Sequence, residues 1–87
     1  MTVTEAKILN EGGLHARPAG MLVKLASQFK ASVNLEANGK KTSAKSILGV
    51  LSLGLVKDSM LKVITEGEDE KAAAQSLTAL IERKFVE

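Results

Sequence analysis

Ala31-Ser32-Val33-Asn34-Leu35-Glu36-Ala37-Asn38-Gly39-Lys40-Lys41-Thr42-Ser43-Ala44 contains the pattern on which the fold turns. Apolar and polar residues alternate through Val33 and Leu35, as a strand with one wet face requires. Asn38-Gly39 follows, a pair that tolerates the positive φ angles of a two-residue hairpin. Residues 31–37 and 40–44 are therefore read as antiparallel neighbours. Outward from this hairpin, residues 2–9 alternate in the same way, with Ala6 and Ile8 on one side and Glu5 and Lys7 on the other, until residues 10–13 break the pattern. After a turn at Lys57-Asp58-Ser59, residues 60–66 place Leu61 and Val63 on one face and Met60, Lys62 and Ile64 on the other. That makes four strands.

Between the strands the period changes. From Ala16 onward Ala19, Leu22, Val23, Ala26 and Phe29 fall along one helical stripe, with Lys24, Ser27, Gln28 and Lys30 largely opposite. Residues 47–53 are apolar nearly all round, a couple of turns weakened or ended by Gly49 and Gly54. Acidic residues at 68–69 suit the start of a last helix, whose stripe runs through Ala73, Leu77, Leu80, Ile81 and Lys84 or Phe85. The order is βαββαβα, with no repeat or linker. Helices with single apolar stripes bury them best as a layer on one sheet face. An α+β open-faced sandwich follows, with Lys7, Asn34, Glu36, Lys41 and Lys62 on the solvated face.

The 87 residues allow one domain, residues 1–87, with one modest core. Without cysteine there is neither a disulfide nor a thiolate metal site, and without Trp or Tyr the core is largely aliphatic. Twelve basic residues nearly balance ten acidic ones, and 2% aromatic content gives no stacking platform. Direct nucleic-acid binding is therefore not expected. Residues 1–5 lack the basic start and apolar run of a secretory signal, and no stretch approaches the ~18 apolar residues of a membrane span. The expectation is a cytoplasmic protein without membrane insertion.

Chemistry concentrates in Gly12-Gly13-Leu14-His15-Ala16-Arg17-Pro18-Ala19, which sets the single histidine at a helix mouth. The first N–H groups of a helix lack intrahelical partners and attract anions. Arg17 adds a planar cationic fork, and Pro18 is tolerated in a first turn because the N–H it lacks would be unpaired there. A histidine with an ordinary pKa near ~6.5 keeps a lone pair able to attack phosphorus. A cap or a plain surface residue explains such a histidine equally well in isolation. A second helix mouth, Lys45-Ser46-Ile47-Leu48-Gly49-Val50-Leu51-Ser52-Leu53-Gly54, begins at a serine suited to capping.

Together, at their observed separation, the two segments resemble the active-site and regulatory-serine motifs of HPr, the histidine-containing phosphocarrier of the bacterial phosphoenolpyruvate-dependent sugar phosphotransferase system. Two motifs in register are far more specific than either alone. The resemblance spans the chain and implies a four-stranded antiparallel sheet in the order 1-4-2-3, covered on one face by three helices. It also implies a stoichiometric phosphoryl carrier, not an enzyme, with no cofactor or metal. His15 would accept the phosphoryl group on Nδ1 from enzyme I and pass it to the IIA domains of sugar permeases. Arg17 would stabilise that group.

Serving several partners calls for a shallow apolar rim. Ala16, Gly20, Met21, Lys24, Ile47, Leu48, Gly49 and Leu51 are the candidates, with core packing an equal explanation for Ile47 and Leu51. Leu48 is expected outside, because Val50 and Leu53 already point inward. Lys24 and Lys45 would steer acidic partners, although a solvated surface lysine explains each equally well alone. Ser46 is explained either as an N-cap or as a regulatory phosphorylation site. Residues 46–51 look closer to the Gram-positive relatives, in which an HPr kinase/phosphorylase modifies this serine and the product serves a catabolite-control transcription factor in carbon catabolite repression. Gly20, where the family often has threonine or alanine, and Leu48 and Leu51, where methionine is frequent, depart from the usual pattern. A monomer is expected. The rival reading is a regulatory paralogue, either a nitrogen-system phosphocarrier or a catabolite-repression corepressor, the latter disfavoured by the presence of His15.

Overall fold

Asn38 and Gly39 lie at φ 54° and 75°, so the two-residue turn forms where the alternation breaks. It joins β2 (Ser32–Ala37) to β3 (Lys40–Ser43), with Ala37 opposite Lys40 and Leu35 opposite Thr42. The other elements of the computed structural model are β1 (Thr2–Lys7), α1 (Ala16–Ala26), α2 (Ile47–Ser52), β4 (Met60–Glu66) and α3 (Glu70–Glu82). It describes residues 1–86; residue 87, the last of the expected domain, lies outside the described residues.

The sheet runs β1-β4-β2-β3, all antiparallel. Residues on β4 face partners on both sides: Val63 lies opposite Thr4 on β1 and Leu35 on β2. This register puts Ala6, Leu61, Val63, Val33 and Leu35 on one face, where they meet Leu22 of α1, Val50 of α2 and Leu77 and Ile81 of α3 in one buried cluster. Each such aliphatic side chain contributes roughly 1.5–3 kcal/mol when fully buried. Thr65 is the buried polar exception, and its hydroxyl donates to the Glu70 carbonyl oxygen at 2.9 Å. On the other face Glu5, Lys62, Glu36 and Lys41 form a row of alternating charge. Exposed Val3 and Met60 stand among these charges, so this face is less polar than its alternation implies.

Three helical stripes stop earlier than their periodicity suggests. α1 ends at Ala26, and Phe29 reaches the core from the irregular segment beyond it. α2 ends at Ser52, with Leu53 as its C-cap. α3 ends at Glu82, and Phe85 is buried from a turn in which Lys84 and Phe85 have φ 60° and 61°. At the other end of α3, Asp69 makes no capping bond to its own helix. Its carboxylate accepts the N–H groups of Lys30 and Ala31 at 2.9 and 2.8 Å, tying α3 to the α1–β2 connection.

Candidate functional site

The loop before α1 is built around Gly13. It is buried at φ 65°, and a Cβ there would lie 2.7 Å from the Leu55 carbonyl oxygen and 2.8 Å from Val56 Cα. Only glycine combines that dihedral with that approach. The Leu14 N–H donates to the same Leu55 oxygen at 2.9 Å, and the Asn10 side-chain amide donates to the Gly13 carbonyl at 2.7 Å. Leu14 is buried in the core, so the chain enters the helix at a fixed place.

His15 is the N-cap residue of α1, with extended backbone, and its carbonyl oxygen accepts the Ala19 N–H at 2.9 Å. Its side chain makes no capping bond, which removes the simplest structural account of the imidazole. The ring is exposed, and its Cδ2–Nε2 edge lies over Gly12, where a Cβ would come within 2.8–3.0 Å. The Nδ1 side of the ring therefore faces away from Gly12. Pro18 has no N–H and Ala19 is bonded, so the Ala16 and Arg17 N–H groups remain as the open donors of the first turn. Ala16 and Arg17 are exposed, whereas Pro18, Ala19 and Leu22 anchor the helix from its buried side.

His15 and Arg17 line one open cleft of about 240 Å³ with Gly12, Pro18 and Met21. Asn10 also lines it, and the rest of the wall is Lys84, Phe85 and Val86, far away in the sequence. These residues escape sequence reasoning, because a helical stripe continued past Glu82 gives no hint of the turn that brings them there. A larger hollow, about 330 Å³, lies on the outer sheet face beside Glu5, Glu36 and Lys62. It is lined by neither a histidine nor a hydroxyl side chain.

α2 carries the second predicted set. Ser46 is its N-cap, exposed, with Oγ accepting the Gly49 N–H at 3.2 Å. Val50 and Leu53 point inward, Leu48 is 78% exposed, and Ile47 and Leu51 are 39% and 36% exposed. The apolar surface of α2 thus combines one projecting leucine with two side chains at its margin. Gly49 is half-buried, and a Cβ there would run into the Thr42 hydroxyl, so packing explains that glycine. Gly20 and Met21 are half-buried on α1, and Lys24 is exposed in its last turn. Lys45 is also exposed, and its Nζ donates to the Phe29 carbonyl at 2.8 Å. Among the described residues no group of three or more His, Cys, Asp or Glu side chains is placed to bind a metal, and no helix is long and apolar enough to cross a membrane.

A sheet of this order with a histidine at the mouth of α1 defines a class, and residues 3–83 match the family described as PTS HPr component phosphorylation site. Among solved structures, HPr-C-His from Thermoanaerobacter tengcongensis is 44% identical with a TM-score of 0.96, covering 100% of this chain and 98% of that one. The phosphocarrier protein HPr from Bacillus anthracis is 36% identical with a TM-score of 0.89, over 92% and 95% of the two chains. The Bacillus subtilis catabolite repression protein Crh, a domain-swapped dimer, is 36% identical with a TM-score of 0.78 over the full length of both. The chain belongs to the HPr family of phosphocarrier proteins of the phosphotransferase system.

Proposed function

We propose that this chain is the phosphocarrier of a bacterial sugar phosphotransferase system, accepting a phosphoryl group on His15 from phosphorylated enzyme I and passing it to IIA domains of sugar permeases. The observation that carries this reading is the exposed, uncapped imidazole beside Arg17 and the open N–H groups of the α1 mouth. A neutral ring nitrogen attacks phosphorus, the family resemblance implying Nδ1, which lies on the side of the ring away from Gly12. The Arg17 fork and the helix end balance the arriving charge. Exposure keeps that stabilisation moderate, so that the group can be handed on. The protein acts as a stoichiometric carrier in the cytoplasm. Leu48, with Ile47, Leu51, Met21 and Gly20, offers partners an apolar rim, and Lys24 favours acidic ones.

Incubation with phosphoenolpyruvate, magnesium and enzyme I is expected to give an acid-labile, base-stable phosphoprotein. His15→Ala should abolish it, and label persisting in that variant defeats the assignment.

A second, regulatory role at Ser46 is supported by its exposed hydroxyl beside Ile47 and Leu48. A phosphate there gains from the α2 dipole and sets about two negative charges beside the docking rim, opposing acidic enzyme I. HPr kinase/phosphorylase and a catabolite-control transcription factor are the partners this role implies. With ATP and that kinase, an acid-stable product lost in Ser46→Ala is expected; no incorporation removes the role.

A further inference from the structure

Lys84 lines the His15 cleft from a helix end that would be easier to build with glycine. Beyond α3 the Lys84 N–H donates to the Ile81 carbonyl at 3.1 Å and the Phe85 N–H to the Leu80 carbonyl at 3.0 Å. This pair of bonds closes a helix through a left-handed residue, most often glycine. Here Lys84 takes that position at φ 60°, and Phe85 follows at φ 61°, conformations unfavourable to residues with a Cβ. Burial of the Phe85 ring, 3% exposed, offsets its backbone cost. No such burial compensates Lys84, which is exposed and makes no ion pair among the described residues. The nearby Glu11 carboxylate is already held by Lys57 at 2.9 Å. Lys57 first, and Lys84 last and least, hold its carboxyl below the usual carboxylate range. What Lys84 does is line the same cleft as His15 and Arg17.

We propose that Lys84 is a second cation, besides Arg17, for the phosphoryl group carried by His15. The inference rests on His15 being the acceptor. In the transfer, the lone pair of a neutral ring nitrogen forms the phosphorus–nitrogen bond as phosphorus loses its bond to the donor atom, which keeps that electron pair. The N–H on the other ring nitrogen is retained, and the arriving oxygens bring close to two negative charges. Arg17, on the first turn of α1, offers a rigid fork. Lys84 offers a compact ammonium on a flexible stem, able to follow the group without fixing its orientation.

The test uses the full chain, phosphorylated on His15 with phosphoramidate and followed by phosphorus NMR as pH is varied. Loss of a neighbouring cation makes the phosphohistidine easier to protonate. Lys84→Gln should therefore raise the titration midpoint by about half a pH unit at low salt. Lys84→Arg should restore the midpoint, and Lys84→Gly should reproduce the Gln shift while relaxing the turn. Identical midpoints in wild type and Lys84→Gln overturn the proposal, as does a shift that Lys84→Arg fails to restore. Failure of the carrier reading appears elsewhere, as no label from phosphoenolpyruvate and enzyme I in the wild type.

Discussion

Arg17 contributes a charge and no packing: it is exposed, while the neighbouring Pro18 and Ala19 are buried and fix the turn. Arg17→Ala is therefore expected to leave thermal unfolding within about 0.5 kcal/mol of wild type. Phosphoryl transfer from enzyme I should slow roughly 10- to 100-fold, the scale of a lost charge-assisted hydrogen bond. Rapid-quench kinetics at the wild-type rate would refute the charge argument. Gly13 is the converse case, a position with no chemistry that holds the loop. Gly13→Ala meets both a positive φ and the backbone of residues 55 and 56, and should cost at least ~2 kcal/mol in urea unfolding. At this scale the sequence was informative where neighbours in the chain are neighbours in space. His15 and Arg17 share one turn, so their convergence can be read from spacing. Lys84 is brought to them by the turn after α3, and no local pattern reports it.

Helix α2 separates two meanings of one serine. As an N-cap, Ser46 accepts the Gly49 N–H, and Ser46→Ala should destabilise the protein by ~1 kcal/mol. Aspartate caps about as well as serine, so Ser46→Asp should unfold near the wild-type urea midpoint while binding enzyme I more weakly. A Ser46→Asp midpoint as low as that of Ser46→Ala would assign the cap to geometry that aspartate cannot copy. On α1, Gly20 meets open space where a Cβ would project, so Gly20→Ala should stabilise the protein by roughly 1 kcal/mol. Element type was legible where two periods, 2 and 3.6, divide the chain, whereas α2, apolar nearly all round, showed itself through its capping serine and through Gly49 and Gly54. Element ends were less so. The stripes of α1 and α3 continue into Phe29 and Phe85, which are recruited to the core by irregular backbone, and hydrophobic pattern alone cannot distinguish such a residue from one more turn of helix. Strand order also escapes periodicity, since alternation fixes a face and leaves the neighbour open.

Across the whole molecule, the amino end of α3 clasps segments far apart in sequence, and it does so with ionised carboxylates. Glu70 accepts the Thr2 hydroxyl on β1 at 2.6 Å and the Gly67 N–H at 3.2 Å, with the Met1 amino group 3.1 Å away. The Thr2 hydrogen bond first, then the Gly67 N–H, lower its pKa from the ordinary 4.5 to about 2. Asp69, holding the Lys30 and Ala31 N–H groups, is lowered for the same kind of reason. A carboxyl depressed in the folded state binds its proton sooner in the unfolded chain. Its stabilisation is therefore complete above pH 4.5 and is lost as pH falls from 4.5 towards 2. Glu70→Gln removes that proton linkage. Its unfolding free energy should lie below wild type at pH 7, fall less steeply on acidification through this window, and approach the wild-type curve near pH 2. The remaining acid slope should lessen further in Glu70→Gln/Asp69→Asn, because the two carboxylates tie different segments to α3 and titrate as separate contributions. Urea unfolding at a series of pH values measures both. An acid slope as steep in the double variant as in wild type would move the acid sensitivity of the fold away from this clasp.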